Sequence, residues 1–350
     1  MNMPIPATMT AALVEEHGGP EKLLLVQRPV PQPAAGEVLV EIKAMALNHL
    51  DLWVRRGVSG HRFPLPIIPG CDGAGIVVSV GDGVDEKVVG DEVVLAPGVS
   101  CGRCQGCLRG DDHLCGNYGI LGETRDGTCA SFVTVPASNL IRKPTGISWE
   151  EAAAFPLVAL TSWTMLTRKA RLKAGETLLV IAAGSGVGSM AVQMGNILGA
   201  RVLATAGSEK KRSKAKELGA EVTIDHSNED WGREVKKLTA SKGADVVFEN
   251  VGSATWKNSM RSVARGGRIV TCGATTGGEV SLDLKALFFK NIAIFGSTMG
   301  RRGDLHSLTR LQERGLLKAI VADTFPLEKI HEAHARLESR DVFGKVVVVP

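Results

Sequence analysis

The chain has 350 residues, 44% of them hydrophobic, and a formal net charge of +4 at pH 7. That length suits two domains, each with its own core, and no run approaches the roughly 20 consecutive apolar residues of a membrane helix. The small, scattered charge, with no basic tract, argues against nucleic acid as a partner. The opening residues MNMPIPATMTAALVEEHGG carry neither an apolar signal core nor an arginine-rich transit pattern, so a cytoplasmic location is expected.

From about residue 10 to residue 140 the sequence predicts strands and turns. Residues 37–47 (EVLVEIKAMAL) partly alternate, as half-buried antiparallel strands do. Further short β runs fall at 75–80 and 91–96, separated by glycines and prolines. Inside this region stand Cys101, Cys104, Cys107 and Cys115, two short gaps followed by a longer one. Such spacing lets one small loop offer four thiolates to a tetrahedral zinc, which binds sulfur at about 2.3 Å and then has no open position for substrate. One structural zinc is therefore expected. Two disulfides or four idle thiols are the weaker reading, because Cys71, Cys129 and Cys272 are scattered and no secretion signal is evident.

After Ser148 the texture changes. Strand-like runs at 177–182, 201–205, 221–224, 244–248, 268–271 and 292–295 alternate with helical stretches such as 209–218 and 228–238. This βαβ rhythm predicts a parallel sheet with helices on both faces. Directly after the first of these strands comes AAGSGVG (182–188), followed by the helical pattern SMAVQMGNILG. Small residues let the backbone approach a pyrophosphate, and the helix N-terminus supplies N–H groups and a favourable dipole. Ser185, Gly186, Val187 and Gly188 are thus assigned to a dinucleotide. The second strand runs into Ala206, Gly207 and Ser208, without the acid that holds the ribose hydroxyl of NAD. Glu209 lies at the usual sequence distance but past the strand tip and beside three cations. Ser208 and Lys211 suit a 2′-phosphate, so NADP(H) is expected, with NAD(H) as the alternative. A solvated first helical turn is the competing reading of those two side chains. From Met299 the tail holds a helix or two and ends in KVVVV (345–349), a strand expected to rejoin the first domain.

A β domain with a four-cysteine lobe, a doubly wound domain and a returning tail resembles the medium-chain dehydrogenase/reductase superfamily over essentially the whole chain. The matching segments are PGCDGAG (69–75), the cysteine lobe, Asp126 and Gly127, the turn at 182–188, and FGKV (343–346). The resemblance implies an α/β chain with a GroES-like, mostly β catalytic domain plus a Rossmann doubly wound parallel-sheet domain. The first would span residues 1–158 and 299–350, with its zinc lobe at about 98–118, and the second residues 159–298. In the zinc alcohol dehydrogenases of the superfamily three side chains hold a catalytic zinc, and the corresponding positions look like Asn48, Cys71 and Leu157. The proton-relaying hydroxyl corresponds to Leu50. One soft ligand with Asp72 beside it is not a site of three protein ligands plus water, and without the ion there is no Lewis acid. The chain is more similar to the quinone oxidoreductase and enone reductase branch, which carries asparagine at the position of Asn48 and uses NADPH without catalytic zinc. Most members of that branch lack the cysteine lobe that this chain keeps.

The resemblance implies direct hydride transfer to a quinone or an activated C=C or C=O compound. Asn48 would donate a hydrogen bond to the developing oxyanion, or only cap a turn. His49 would contact cofactor phosphates, pass a proton, or merely start a helix; Asp51 would orient its neighbours, with Asp72 completing the set. Thr161 resembles the position beside the nicotinamide, and Val251, Gly273 and Ser297 fall at strand ends, where doubly wound folds bind ligands. Tyr118, the only tyrosine, is a poor proton donor by position, which leaves protonation to water. Two rival readings stand beside this one. The first is a zinc-dependent alcohol or aldehyde dehydrogenase with an atypical metal set drawn from Cys71, Asp72 and His49; the second is a non-catalytic NADPH-binding sensor. The expected partners are a small-molecule substrate and further copies of the chain, as a homodimer or homotetramer joined at residues 292–295.

Overall fold

The computed structural model describes residues 5–350, which fall into two compact units: one runs to Leu157 and resumes over Arg301–Pro350, the other is Val158–Gly300. In the first, β1 (Thr8–Val14) and β2 (Leu23–Pro29) form an antiparallel ribbon. β3 (Glu37–Ala46) leads into α1 (His49–Arg56) and then β4 (Asp72–Val80), β5 (Glu92–Leu95) and β6 (Gly98–Val99). After the short α2 (Gln105–Leu108) come β7 (Gly119–Ile120), β8 (Phe132–Pro136), β9 (Leu140–Arg142) and α3 (Trp149–Ala153). The expected alternation holds only for part of β3, which is buried on both faces in its second half. That half lies between β4 and the last strand of the chain (Lys345–Val349), and Ile42 and Met45 pack with Val77, Val346 and Val348 in one core. Full burial of each such side chain contributes roughly 1.5–3 kcal/mol.

The second unit starts in α4 (Pro156–Trp163) and then alternates strand and helix. In order come β10 (Thr177–Val180), α5 (Gly186–Ile197), β11 (Arg201–Ala206), α6 (Glu209–Glu217), β12 (Val222–Asp225) and α7 (Trp231–Leu238). They are followed by β13 (Ala244–Glu249), α8 (Ser253–Ser262), β14 (Val263–Thr271), α9 (Leu284–Phe289) and β15 (Ala293–Gly296). The strands pair in parallel in the order β12-β11-β10-β13-β14-β15. The order reverses between β10 and β13, and a crevice at such a switch point is where doubly wound sheets bind dinucleotides. Residues 228–230, expected in a helix, precede α7 instead, because Asp230 at its N-cap pairs with Arg233 and Arg261.

The chain returns through α10 (Arg302–Glu313), β16 (Val321–Pro326), α11 (Ile330–Glu338) and β17 (Lys345–Val349). β17 pairs in parallel with β16 and antiparallel with β3, so the first unit's large sheet runs β16-β17-β3-β4-β5-β9 with β8 also on β3. This register sets the end of β3 beside the starts of both β4 and β17, with Ala46 opposite Asp72 and Val347. Gly344 is needed just before β17: its φ is +98°, and a Cβ there would lie 2.1 Å from the Ile320 carbonyl oxygen. Among the described residues no helix is long and apolar enough to cross a membrane.

Candidate active site

The cysteine lobe brings all four predicted thiols together. Their sulfurs lie within 4.8 Å of one another, the only such set of metal-capable donors among the described residues. Cys104 is 3.5 Å from Cys107, Cys115 is 3.5 Å from Cys101, and Cys101 is 4.0 Å from Cys107. Four sulfurs around zinc at about 2.3 Å would stand about 3.8 Å apart, whereas a disulfide needs about 2.05 Å. Backbone N–H groups of Arg103 and Cys104 point at the Cys101 sulfur and, with the Cys115 thiol, bring its pKa down to about 6, which favours the metal-binding thiolate. The donor set therefore fits zinc. The lobe is also tied to the return segment: Arg301 pairs with Asp111, and the Asp112 carboxylate accepts the Arg302 N–H at 3.0 Å at the start of α10.

At the junction of β3, β4 and β17 a polar cluster is buried. Asn48 is 8% exposed, Asp72 0% and Lys345 4%. The Lys345 ammonium donates to Asn48 Oδ1 and, at 2.9 Å, to Asp72 Oδ2. The Asn48 amide donates to Asp72 Oδ2 at 2.9 Å, to the Ala46 carbonyl at 3.2 Å and to Cys71 Sγ at 3.3 Å. The other Asp72 oxygen accepts the Leu157 N–H at 2.9 Å. Capping of α1 falls to Asp51, whose carboxylate accepts the N–H of Asn48 at 2.7 Å and of Gly70 at 3.0 Å. Burial raises the Asp51 pKa to about 6 against those two hydrogen bonds.

This donor set does not fit a catalytic zinc. Leu157 offers no ligand atom. Burial, with the Asp72 and Asp51 carboxylates nearby, pushes the Cys71 thiol well above its ordinary value. Asp72 is already bound to an ammonium. His49 starts α1 but takes no part in these hydrogen bonds; burial, then Arg340, Lys345 and Arg56, lower its pKa to about 4 and leave it neutral at pH 7. The Asn48 amide, expected to meet an oxyanion, already donates to Asp72, the Ala46 carbonyl and Cys71 here. Lys345 went unassigned from the sequence. Its signal was a lone charged residue opening an otherwise apolar strand. The buried Tyr118 hydroxyl has no partner among the described residues, and burial, then Asp112 and Cys71, raise its pKa.

In the second unit Ser185, Ser208, Val251, Gly273 and Ser297 each follow the carboxyl end of a strand. Ser185 N-caps α5, its hydroxyl accepting the Gly188 N–H at 3.0 Å and donating to the Ala182 carbonyl at 2.9 Å. A Cβ on Gly188 would lie 2.4 Å from that carbonyl, so the tight turn requires glycine. Gly186 and Val187 open the helix, and Ser162 donates to the Val187 carbonyl at 3.0 Å. Thr161 is buried on α4. Val251, Gly273 and Ser297 follow β13, β14 and β15. Val251 donates its N–H to the buried Glu249 carboxylate, which Gly252, Thr255 and Ser259 also brace. The buried Ser297 hydroxyl has no partner among the described residues, which suits a ligand-facing group. Ser208 N-caps α6 by accepting the Lys211 N–H at 3.4 Å. Glu209 turns to Arg212, which also pairs with Asp225 at 2.6 Å. His226, not singled out from the sequence, shares a 3.0 Å hydrogen bond with Thr205, and its Nε2 would stand 3.0 Å from a Cβ on Gly207.

Comparison with known proteins finds two family domains along the chain. Residues 34–145 match the family described as alcohol dehydrogenase GroES-like domain, and residues 186–314 that described as zinc-binding dehydrogenase. An NAD-dependent alcohol dehydrogenase of Sulfurisphaera tokodaii is 32% identical over 351 residues, covering 98% of this chain and 100% of its own. A crotonyl-CoA carboxylase/reductase of Cereibacter sphaeroides is 31% identical, covering 95% of this chain and 85% of its own. A crystal structure of an NAD-dependent alcohol dehydrogenase matches with a TM-score of 0.94 at 47% identity, over 98% of this chain and 100% of that one. Two unit folds, a four-sulfur lobe and whole-length likeness converge on one conclusion: the chain belongs to the zinc-containing medium-chain dehydrogenase/reductase superfamily of oxidoreductases.

Proposed function

We propose that the chain is an NADP(H)-dependent reductase of quinones or activated C=C and C=O compounds that works without catalytic zinc, while one zinc in the cysteine lobe is structural. The observation that carries this reading is the buried Asn48–Asp72–Lys345 cluster beside Leu157, where a hydrogen-bonded ion pair replaces a ligand set. Ser185, Gly186, Val187 and Gly188, with Thr161, Val251, Gly273 and Ser297, would hold the cofactor, which when bound supplies a hydride. Near-attack positioning of acceptor and hydride donor can alone contribute about 7–11 kcal/mol. The relatives named crotonyl-CoA carboxylase/reductase support an α,β-unsaturated acceptor. The lack of an acid at the end of β11, with Glu209 taken by Arg212 and Ser208 and Lys211 beside it, supports NADP(H) over NAD(H). All seven cysteines are free of disulfides, in keeping with a reducing compartment.

The second reading, a zinc alcohol or aldehyde dehydrogenase with NAD, draws on the names of the 32% and 47% identical relatives. The deciding measurement is zinc per chain on purified, metal-untreated protein, with NADPH and NADH oxidation followed on a quinone, an enone and an aldehyde. One zinc and NADPH turnover with the quinone or enone are expected, with NADPH binding at least about tenfold tighter than NADH and Ser208→Asp reversing that order. A second zinc whose removal abolishes turnover would overturn the reading in favour of the alcohol dehydrogenase. Cofactor binding without turnover of any acceptor would leave a sensor.

A further inference from the structure

We propose that Lys345 is the catalytic cation of the acceptor site: its ammonium, held by Asn48 and Asp72, hydrogen-bonds the acceptor oxygen on which negative charge develops. This rests on the reductase reading above and names the group that would stabilise the oxyanion.

An ammonium has three N–H donors. Two are spent on Asn48 Oδ1 and Asp72 Oδ2, and the third has no acceptor among the described residues. Asp72, by contrast, is satisfied on both oxygens, by Lys345 and Asn48 on one side and the Leu157 N–H on the other. A buried charged donor left without a partner is costly, so the asymmetry points to a ligand that brings an acceptor. The neighbours cannot serve instead. The Asn48 amide protons are already engaged, His49 is neutral, and Cys71 is a buried thiol.

The cluster is also preorganised. Lys345 sits at the first position of β17, Asn48 just past β3 and Asp72 at the start of β4, all in one sheet. The Leu47 N–H bonds the Val346 carbonyl at 2.9 Å and ties the segment carrying Asn48 to β17. Gly344, which admits no side chain, sets the direction from which the lysine enters. A buried positive charge held by two fixed partners needs no reorganisation when a negative charge appears beside it.

The experiment measures binding of butyrate, a carboxylate that mimics the oxyanion, by calorimetry on the full chain with and without NADP+. Wild type is compared with Lys345→Met and with Lys345→Met/Asp72→Asn, which removes both charges so that no buried carboxylate is left unpaired. Lys345→Met is expected to weaken butyrate at least about tenfold and lower kcat for an enone about 100-fold, with NADP+ affinity within twofold. The double variant is expected to show the same loss of butyrate binding at a melting temperature near wild type. Butyrate affinity unchanged in the folded double variant would overturn the proposal. So would a fall in NADP+ affinity that matches the fall in turnover, since the lysine would then serve the cofactor. If wild type reduces no enone or quinone while butyrate binding still depends on Lys345, the reductase reading fails and the anion site stands.

Discussion

His334 on α11 is fully buried, with its Nδ1 3.2 Å from Arg55 Nη1 and its Nε2 without a partner among the described residues. Burial first, then Arg55, His331 and Arg56, depress its pKa to about 3. The neighbouring carboxylate, Glu338, is taken by Arg55 and Arg56. Because the folded pKa lies below the unfolded value of about 6.5, the native state holds the neutral ring. Its stability contribution is complete above pH 6.5 and is lost as the pH falls toward 3. Wild type should thus lose about 2–3 kcal/mol between pH 6.5 and 4.5 relative to His334→Gln, whose carbonyl can still accept from Arg55 without titrating. Urea unfolding of both proteins at the two pH values checks this, and parallel profiles would refute it. Asp51 acts in the opposite sense: its folded pKa, raised to about 6, lies above the unfolded value, so its contribution is lost as the pH rises from about 4 to 6. The comparison must therefore be made between variants rather than across pH alone.

Among the elements, the cysteine lobe has the plainest test. Four sulfurs at mutual distances suited to one ion, on a segment with only the four-residue α2 for regular helix, imply that metal binding and local folding are coupled. Cys104→Ser should lower zinc content from one per chain toward zero and reduce the melting temperature, while NADPH binding stays within about twofold. Elemental analysis and a thermal melt settle it, and full zinc retention would sink the assignment. Asp111 and Asp112 join the lobe to Arg301 and Arg302, so its loss should also loosen the start of α10. That link was invisible in the sequence, where the two pairs stand 190 residues apart.

At the scale of the whole molecule, the sheet of the second unit ends in β15, paired only with β14 among the described residues. Beside it α9 exposes Leu284 at 63%, Phe288 at 59% and Phe289 at 64%. An unpaired parallel edge next to exposed aromatics is a surface that a second copy of the chain can cover by extending the sheet. Phe288→Glu with Phe289→Glu should convert a dimer to monomer in sedimentation velocity, with zinc content unchanged; a wild-type monomer would dismiss the idea.

Local chemistry was legible in the sequence alone. Cysteine spacing, the glycine turn ahead of a helix and the alternation of strand and helix each act over a few residues, so chain order is enough to read them. The α/β class and the four-sulfur cluster follow from such patterns. The partners of Asn48 do not: Asp72 is 24 residues away and Lys345 is 297, and only the register of β17 on β3 and β3 on β4 makes them neighbours. The same holds for His226 against Thr205 and Gly207. Burial and hydrogen-bond partners belong to the packed chain, and it is they that turned a buried lysine from an odd strand residue into the site's cation.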